Sequence, residues 1–454
     1  MIPRYLSIDD GTYDLKMEQK ELIVPTDNKE GPEYITCNVK RYDPTDDTSP
    51  VTTYFLENQE YYEQRANVYG YADDTTRWAL LCRGALEFLR NNKNWTPDVI
   101  VSSDWQTGLI PNLLKTKFKS DPILSKIASV FSIHNLFFQA MFDHKFVSEM
   151  DYDDGHSELP AIGNPRLEKI NWMKRGIIYT DVINTVSPNY AREIMTKEYG
   201  ELLDDLIRER RGVLSGILNG LDYTVWNPET DTSIPFHFNV NNLDQKALNK
   251  TALQQHFGLA TSKNVFLMAI VGRLTKQKGL DILLPIIDKL LEELPLQLVV
   301  VGDGEGEFMG FLSDLAKRHP TKVAVHLKFD NILSHLVFAG ADSMLAPSRF
   351  EPCGLTQIEA MRMGTIPIVR KTGGLADSVD DYSPEKDTGT GFVFEKFDSY
   401  SLLIAIVRAF ENFRDKKNWK NLQIRAMEKD FSWTHSAKKY VDLFRKAIEI
   451  HKNI

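Results

Sequence analysis

The chain has 454 residues, of which 42% are hydrophobic and 26% charged, with a formal net charge of −9. At roughly 100–200 residues per domain, this length excludes a single compact core and predicts two or three globular domains. The acidic balance, 54 Lys+Arg against 63 Asp+Glu, argues against a nucleic-acid partner but leaves room for a local basic pocket that takes an anionic small molecule.

Up to about Asn92, short alternating apolar runs mix with acidic loops and many aromatics, and TRWALLCRGALEFLRNN (Thr76–Asn92) reads as a helix. DVIVSSD (Asp98–Asp104), IASVFSIHN (Ile127–Asn135) and INTVS (Ile183–Ser187) read as short β-branched strands ending in polar residues. NGLDYTVWNPETDTSIPFHFNVNNLD (Asn219–Asp244), rich in Asn, Asp, Pro and Thr, is the best linker candidate. A second alternation follows, in which FLMAIVGRL, LQLVVVGDG, VAVHLKF, SMLAPS and IPIVRKTGG are strands separated by helical stretches, and the chain ends in helices from about Leu403. The pattern predicts an α/β protein of two doubly wound, Rossmann-like domains with a cleft between them. The expected division is 1–225, 226–430, and a closing helix at 431–454 packing back towards the first domain. Cys37, Cys82 and Cys353 form neither a disulfide framework nor a C-x-x-C metal site. No signal-peptide core and no membrane-length apolar run occurs, so a cytoplasmic setting with no membrane partner is expected.

Each chemical motif falls at a predicted strand end, where open α/β sheets bind ligands. In VGRLTKQKGLDIL (Val271–Leu283), Arg273, Lys276 and Lys278 follow a strand within six positions and Gly279 opens a helical run. Cations at a helix start can clamp a diphosphate, because the helix N-terminus already favours anions; the bland alternative is a solvated basic loop. In APSRFEPCGLTQIEAMRMGTIPIV (Ala346–Val369), a Pro-Cys-Gly turn precedes an amphipathic helix beginning at Leu355. The N–H groups of Cys353, Gly354, Leu355 and Thr356 are expected to lack intrahelical acceptors there and to bind phosphate or sugar oxygens. Glu351 before the helix and Glu359 within it are candidate carboxylates for orienting hydroxyls, against a plain exposed position for Glu359. In KTGGLADSV (Lys371–Val379), Gly373 and Gly374 let the backbone come close to a ligand.

In the first half, SIHNLFFQAMF (Ser132–Phe142) sets His134 and Asn135 at a strand end, and SSDWQTGL (Ser102–Leu109) sets Asp104 and Trp105 similarly. A lone strand-end His is more often structural, and Trp105 is more often core. LSGILNGLD (Leu214–Asp222) carries Asn219 into the linker candidate. GDGEGE (Gly302–Glu307) lacks the full dinucleotide-binding spacing and reads as a βα turn. DYDD (Asp151–Asp154) could pass as a metal-binding acidic motif, but no strand precedes it and a solvated loop is expected.

Together these segments resemble the bacterial glycogen synthase and plant starch synthase family. The match runs in order from Arg4-Tyr5 through YGYADD, IHNL, INTVSPNYAREI, SGILNGLDYTVWNP, GRLTKQKGLDIL, SRFEPCGLTQ and KTGGLADSV to FSWTHSAKKY. The resemblance implies the GT-B fold and transfer of glucose from ADP-glucose or UDP-glucose to the 4-hydroxyl of an α-1,4-glucan. Configuration is retained, no metal takes part, and the nucleotide sugar is a co-substrate, so no cofactor is expected. By the same resemblance Arg273 and Lys278 hold the diphosphate and stabilise the leaving charge, while Glu351 orients the glucose. The turn from Cys353 to Thr356, with Gly373 and Gly374, contacts sugar and phosphate, and His134 and Asn219 face the glucose. Phe329 stacks on the base, and Asp104 and Trp105 lie on the acceptor side.

The sequence also departs from the family. Family members place a strand, a K-x-G-G-L loop, a helix and a second strand ahead of the residues matching Arg4-Tyr5. The expectation is an N-terminal domain incomplete at its start, in a truncated or split synthase completed by a separate polypeptide. The family's His before Asp-Trp is Ser103 here, and its Gly after IHNLxxQ is Ala140. Glu359 replaces a common aromatic and gives the E-x7-E pattern of related retaining transferases, where the second Glu holds the ribose. The competing reading is a catalytically impaired glucan- or nucleotide-binding protein on the same fold.

Overall fold

A computed structural model describes residues 1–44, 51–92, 94–140 and 144–453, so Met141 and Phe142 of the His134 segment lie outside the described residues. The strands are β1 (Ile2–Pro3), β2 (Lys16–Pro25), β3 (Tyr34–Tyr42), β4 (Thr53–Glu57), β5 (Val99–Ser103), β6 (Ala128–Ile133) and β7 (Val182–Thr185). They continue as β8 (Leu214–Gly216), β9 (Phe266–Val271), β10 (Leu296–Val301), β11 (Val323–His326), β12 (Ser343–Ala346), β13 (Ile366–Arg370) and β14 (Phe392–Phe394). The helices are α1 (Asp74–Asn91), α2 (Leu109–Lys115), α3 (Trp172–Tyr179), α4 (Pro188–Glu193), α5 (Asp204–Glu209), α6 (Lys246–His256) and α7 (Leu280–Glu293). After them come α8 (Gly306–Arg318), α9 (Asn331–Gly340), α10 (Thr356–Arg362), α11 (Gly373–Ser378), α12 (Ser399–Arg414), α13 (Lys416–Glu428) and α14 (Trp433–Lys452).

The chain forms two compact units, neither contiguous in sequence. One comprises Met1–Thr185, Ile194–Ser215 and Val441–Ile454; the other comprises Val186–Glu193 and Gly216–Tyr440. In the second unit, β9, β10, β12 and β13 are largely apolar and buried along almost their whole length rather than alternating, which suits parallel strands covered on both faces. They pair in the order β11-β10-β9-β12-β13-β14, all parallel where their registers are defined. The chain steps outward from β9 to β11, then returns to lay β12 against the other side of β9. That reversal is the switch point at which such sheets leave a crevice outside the strands' carboxyl ends.

In the first unit, β5 to β8 form a sheet in that order, with β5, β6 and β7 parallel. A separate sheet of order β1-β4-β3-β2 precedes it, antiparallel between β2, β3 and β4. Period-two burial explains that pairing: Leu22 and Val24 are buried in β2 while Glu21 and Ile23 face out, and Cys37 and Val39 alternate likewise in β3.

The Asn219–Asp244 segment is not a linker. Trp226, Ile234 and Phe238 are buried in the core of the second unit, Trp226 stacks on His335 at 3.9 Å, and Asp231 accepts from His335 at 2.6 Å. Its polar residues are there to make turns: the side chains of Asp222, Asn227 and Asp231 each accept a backbone N–H two residues on.

Candidate active site

The loop after β9 brings Arg273 and Lys278 to the switch point. The short helical turn Lys276–Lys278 is held from both sides. Gln277 receives the N–H of Arg349 on its carbonyl (2.8 Å) and donates its amide to the carbonyl of Phe350 (3.3 Å), which ties this loop to the one after β12. Lys278 Nζ lies 2.5 Å from Glu351 Oε2, and Ser348 Oγ donates to the same oxygen at 3.0 Å. Glu351 is only 7% exposed, so its charge rests on these two partners. Arg273 is exposed, touches only Gln277 (3.4 Å), and has no carboxylate partner among the described residues. The site therefore holds one neutralised cation and one open one at the crevice where an anion is expected.

The turn after Glu351 is built to present N–H groups. Gly354 takes φ +68°, and among the described residues the N–H groups of Gly354, Leu355 and Thr356 have no protein acceptor. Gln357, which sequence reasoning missed, staples this turn. Its buried amide donates to the carbonyls of Cys353 (3.2 Å) and Gly354 (2.8 Å) and to Ser378 Oγ (3.0 Å). Its place three and four residues after the turn is the signal that could have found it. The Cys353 thiol is pushed up to about 12 by burial, partly offset by the N–H of Asn219, so it is an inert packing group. Glu359 is half-buried with no side-chain partner among the described residues, and burial pushes its carboxyl up to about 7.

The two glycines of KTGG approach protein rather than open space. A Cβ on Gly373 would stand 1.9 Å from the carbonyl oxygen of Glu351, and one on Gly374 would stand 2.0 Å from that of Cys353. Gly374 N–H donates to the Glu351 carbonyl at 3.0 Å. Gly373 N–H donates to both oxygens of Glu193 at 3.0 Å, and the Thr372 hydroxyl donates to them as well. The glycines thus lock α11 against the Glu351 turn. Glu193, unremarked in the sequence, bridges α4 and α11, and burial raises its pKa above the usual carboxylate value. Asn219 sits half-buried beside this turn, and Phe329 in the loop after β11 is 82% exposed.

In the first unit, Asp104 adopts φ +53° at the end of β5 and accepts the N–H groups of His134 (2.7 Å) and Asn135 (3.3 Å) at the end of β6. Burial raises the Asp104 pKa, opposed by the His134 ring and those N–H groups. His134 itself is exposed. Trp105 packs edge-on between Trp78 (6.2 Å) and Trp172 (6.0 Å).

DYDD is a loop in which Asp151 and Asp154 are exposed as expected, but Asp153 is not solvated. Asp153 is buried and grips Arg175 with both oxygens (2.8 and 2.7 Å), Asp151 pairs with Lys169, and Asp154 accepts three local bonds. The buried Arg175 on α3 decides this, a partner 22 residues away that local composition cannot reveal. Among the described residues no group of three or more His, Cys, Asp or Glu is placed to hold a metal. GDGEGE is a βα turn that braces the neighbouring loop. Asp303 and Glu305 exchange backbone bonds with Leu274, and Glu305 Oε1 accepts the Lys276 N–H at 3.1 Å.

Comparisons with known proteins agree across most of the chain. The starch synthase catalytic domain family matches residues 1–209, and glycosyl transferases group 1 matches residues 250–423. A glycogen synthase of Geobacillus thermodenitrificans is 40% identical over 453 residues, covering 99% of this chain and 90% of that protein. One of Thermotoga petrophila is 43% identical over 401 residues, covering 88% and 82%. Among solved structures, the catalytic domain of starch synthase IV from Arabidopsis thaliana bound to ADP and acarbose superposes with a TM-score of 0.85 at 30% identity. That match covers 99% of this chain and 92% of that one.

Proposed function

This chain belongs to the glycogen synthase and starch synthase family, glycosyltransferases with the GT-B fold, and from that membership we infer the donor, the acceptor and the residues that work on them. The donor is ADP-glucose or UDP-glucose and the acceptor is the non-reducing 4-hydroxyl of an α-1,4-glucan. The observation that carries this reading is the buried Glu351, paired to Lys278 across the switch point, beside three N–H groups with no acceptor among the described residues. ADP in the plant starch synthase structure supports the adenine nucleotide, and acarbose there supports an oligosaccharide acceptor.

In the proposed reaction the diphosphate lies between Arg273, Lys278 and the N–H groups of Gly354, Leu355 and Thr356. Arg273 and Lys278 take up charge as the bond from the anomeric carbon to the phosphate oxygen breaks, so they stabilise the leaving group. Glu351 orients the glucose by accepting hydrogen bonds from its hydroxyls, held in place by Lys278 and Ser348. The acceptor hydroxyl attacks from the face the phosphate leaves, and the departing phosphate oxygen takes its proton, so configuration is retained without a pair of glycosidase carboxylates. Glu359 is assigned to the ribose and Phe329, whose ring is exposed, to the base. The roles of Asn219 and His134 towards the glucose, and of Asp104 towards the acceptor side, rest on the family resemblance; Asp104 supports His134 by fixing its backbone. The packed Trp105 ring and the occupied N–H groups of Gly373 and Gly374 favour supporting roles for those three residues.

The proposed protein partner is a polypeptide carrying the family's strand, K-x-G-G-L loop, helix and strand. β1 and β5 each end their sheet, and Val101 on β5 is 44% exposed, as a parallel strand lacking a neighbour would be. The test is incorporation of label from radiolabelled ADP-glucose or UDP-glucose into glycogen, with and without that added segment. Incorporation only with the segment supports both the transferase and the partner. Incorporation without it sinks the partner alone, and none in either case, with nucleotide binding intact, sinks the catalytic reading in favour of a binding protein.

A further inference from the structure

The opposite end of the same two strands carries a second basic cavity. It encloses about 230 Å³ and lies where β9 and β12 begin, beside Lys263 and Asp342. α6 contributes Lys246 and Lys250, one turn apart, and the start of α13 contributes Lys416 and Lys420, likewise one turn apart. Against these five lysines stand two carboxylates, Asp244 and Asp342, and burial lowers the pKa of Lys246 to about 7, which leaves a local excess of two to three positive charges in a chain whose net charge is −9.

The lysines divide by what they already hold. Lys246 is buried and shared among the carbonyls of Phe338, Ala339 and Met363 and the Thr365 hydroxyl, all at 2.9 Å. Lys250 is committed to Asp342 at 2.5 Å and to the Val265 carbonyl at 2.6 Å. Lys420 reaches Asp244 at 3.2 Å on the exposed rim. Lys263 and Lys416 have no carboxylate partner among the described residues, and Lys416 lies over the ring of Phe413 at 3.1 Å. Burial lowers the pKa of Lys416, Asp342 opposes this and Lys250 adds to it.

We propose that this cavity binds the dianion of a phosphomonoester, held by Lys263 and Lys416 with Lys420 at the rim. Its volume equals that of roughly seven or eight water molecules, enough for a phosphate with a few attached carbon atoms and below the range of nucleotide-sized pockets. Neutral sugars gain nothing from surplus cations, whereas a compact dianion does. The bound anion sits at the amino ends of the two strands whose carboxyl ends carry Lys278 and Glu351, so it is distinct from the donor site and independent of the transferase reading.

The experiment is calorimetric titration of the full chain at low ionic strength with inorganic phosphate and, separately, with glycerol 3-phosphate. The wild type, K263Q/K416Q and R273Q/K278Q are compared, with circular dichroism confirming the fold of each. Expected is saturable binding that weakens at least about tenfold in K263Q/K416Q, about 1.4 kcal/mol, and persists in R273Q/K278Q. Tighter binding of glycerol 3-phosphate identifies an organic phosphate as the natural ligand, and equal binding identifies inorganic phosphate. Absence of binding in the wild type overturns the proposal, as does binding that survives K263Q/K416Q or vanishes only in R273Q/K278Q.

Discussion

At the scale of single residues, the pairing of Lys278 with Glu351 couples stability to chemistry. Lys278→Ala leaves a 7%-exposed carboxylate with only Ser348 as partner among the described residues, and it removes a cation from the leaving group. Transfer is expected to fall on the order of 10²–10³-fold in kcat, read from initial rates with labelled donor, with a lower melting temperature. Glu359 tests a different balance. Its folded pKa of about 7 lies above the ordinary 4.5, so the folded state binds more protons across that window. Its contribution to stability is therefore complete below about pH 4.5 and lost as pH rises towards 7. Glu359→Gln should flatten that decline in urea melts taken between about pH 5 and 8, and an unchanged slope would assign the decline to other groups. Ala140 holds φ +72°, where the family has Gly. Ala140→Gly should thus stabilise by about 1 kcal/mol, although Gly is ordinarily the destabilising choice.

At the scale of elements, α11 is fixed from two sides, by the Glu351 turn and by Glu193 on α4. Gly373→Ala meets both a 1.9 Å clash with backbone and a left-handed φ of +43°. A loss of several kcal/mol, seen as an early denaturant midpoint, is expected together with loss of transfer. The strand–helix alternation from β9 to β13 was legible because continuous apolar runs ending in Gly, Pro and cations encode buried parallel strands. The same logic located Arg273, Lys278, Glu351 and the Gly354 turn, each at a strand end. What escaped was tertiary pairing. The backbone that the KTGG glycines approach is the chain's own, and Glu193 comes from a segment 180 residues away. The buried partner of Asp153 and the packed aromatics of the presumed linker were hidden for the same reason: polar turn residues and buried ion pairs look alike in composition. The β2–β4 sheet escaped through short alternating runs broken by acidic loops.

At the scale of the whole molecule, the first unit is assembled from three separated stretches of chain, so its stability depends on Val441–Ile454 at the far end of the sequence. Asp181, which is fully buried, accepts from Ser129 N–H (2.8 Å), the Ser129 hydroxyl (3.0 Å) and Lys115 (2.6 Å), and pairs with His451, 270 residues away, at 3.0 Å. The other ring nitrogen of His451 reaches the Ser125 carbonyl at 3.0 Å, and Leu443 and Ala447 of the same helix are buried. Ending the chain after Tyr440 removes all of these at once. It strips one partner from a buried carboxylate and uncovers the apolar surface beneath Leu443 and Ala447. A cost of several kcal/mol follows, because large losses arise where packing and a buried polar network are broken together. It should fall on the first unit, which contains every partner named, so scanning calorimetry should show one transition moving to lower temperature while the melting of the second unit stays in place. His451→Ala separates the two contributions, since it deletes the polar bonds but leaves Leu443 and Ala447 in place. If it shifts the melt as far as the truncation does, the buried network rather than the apolar face is what the last helix supplies.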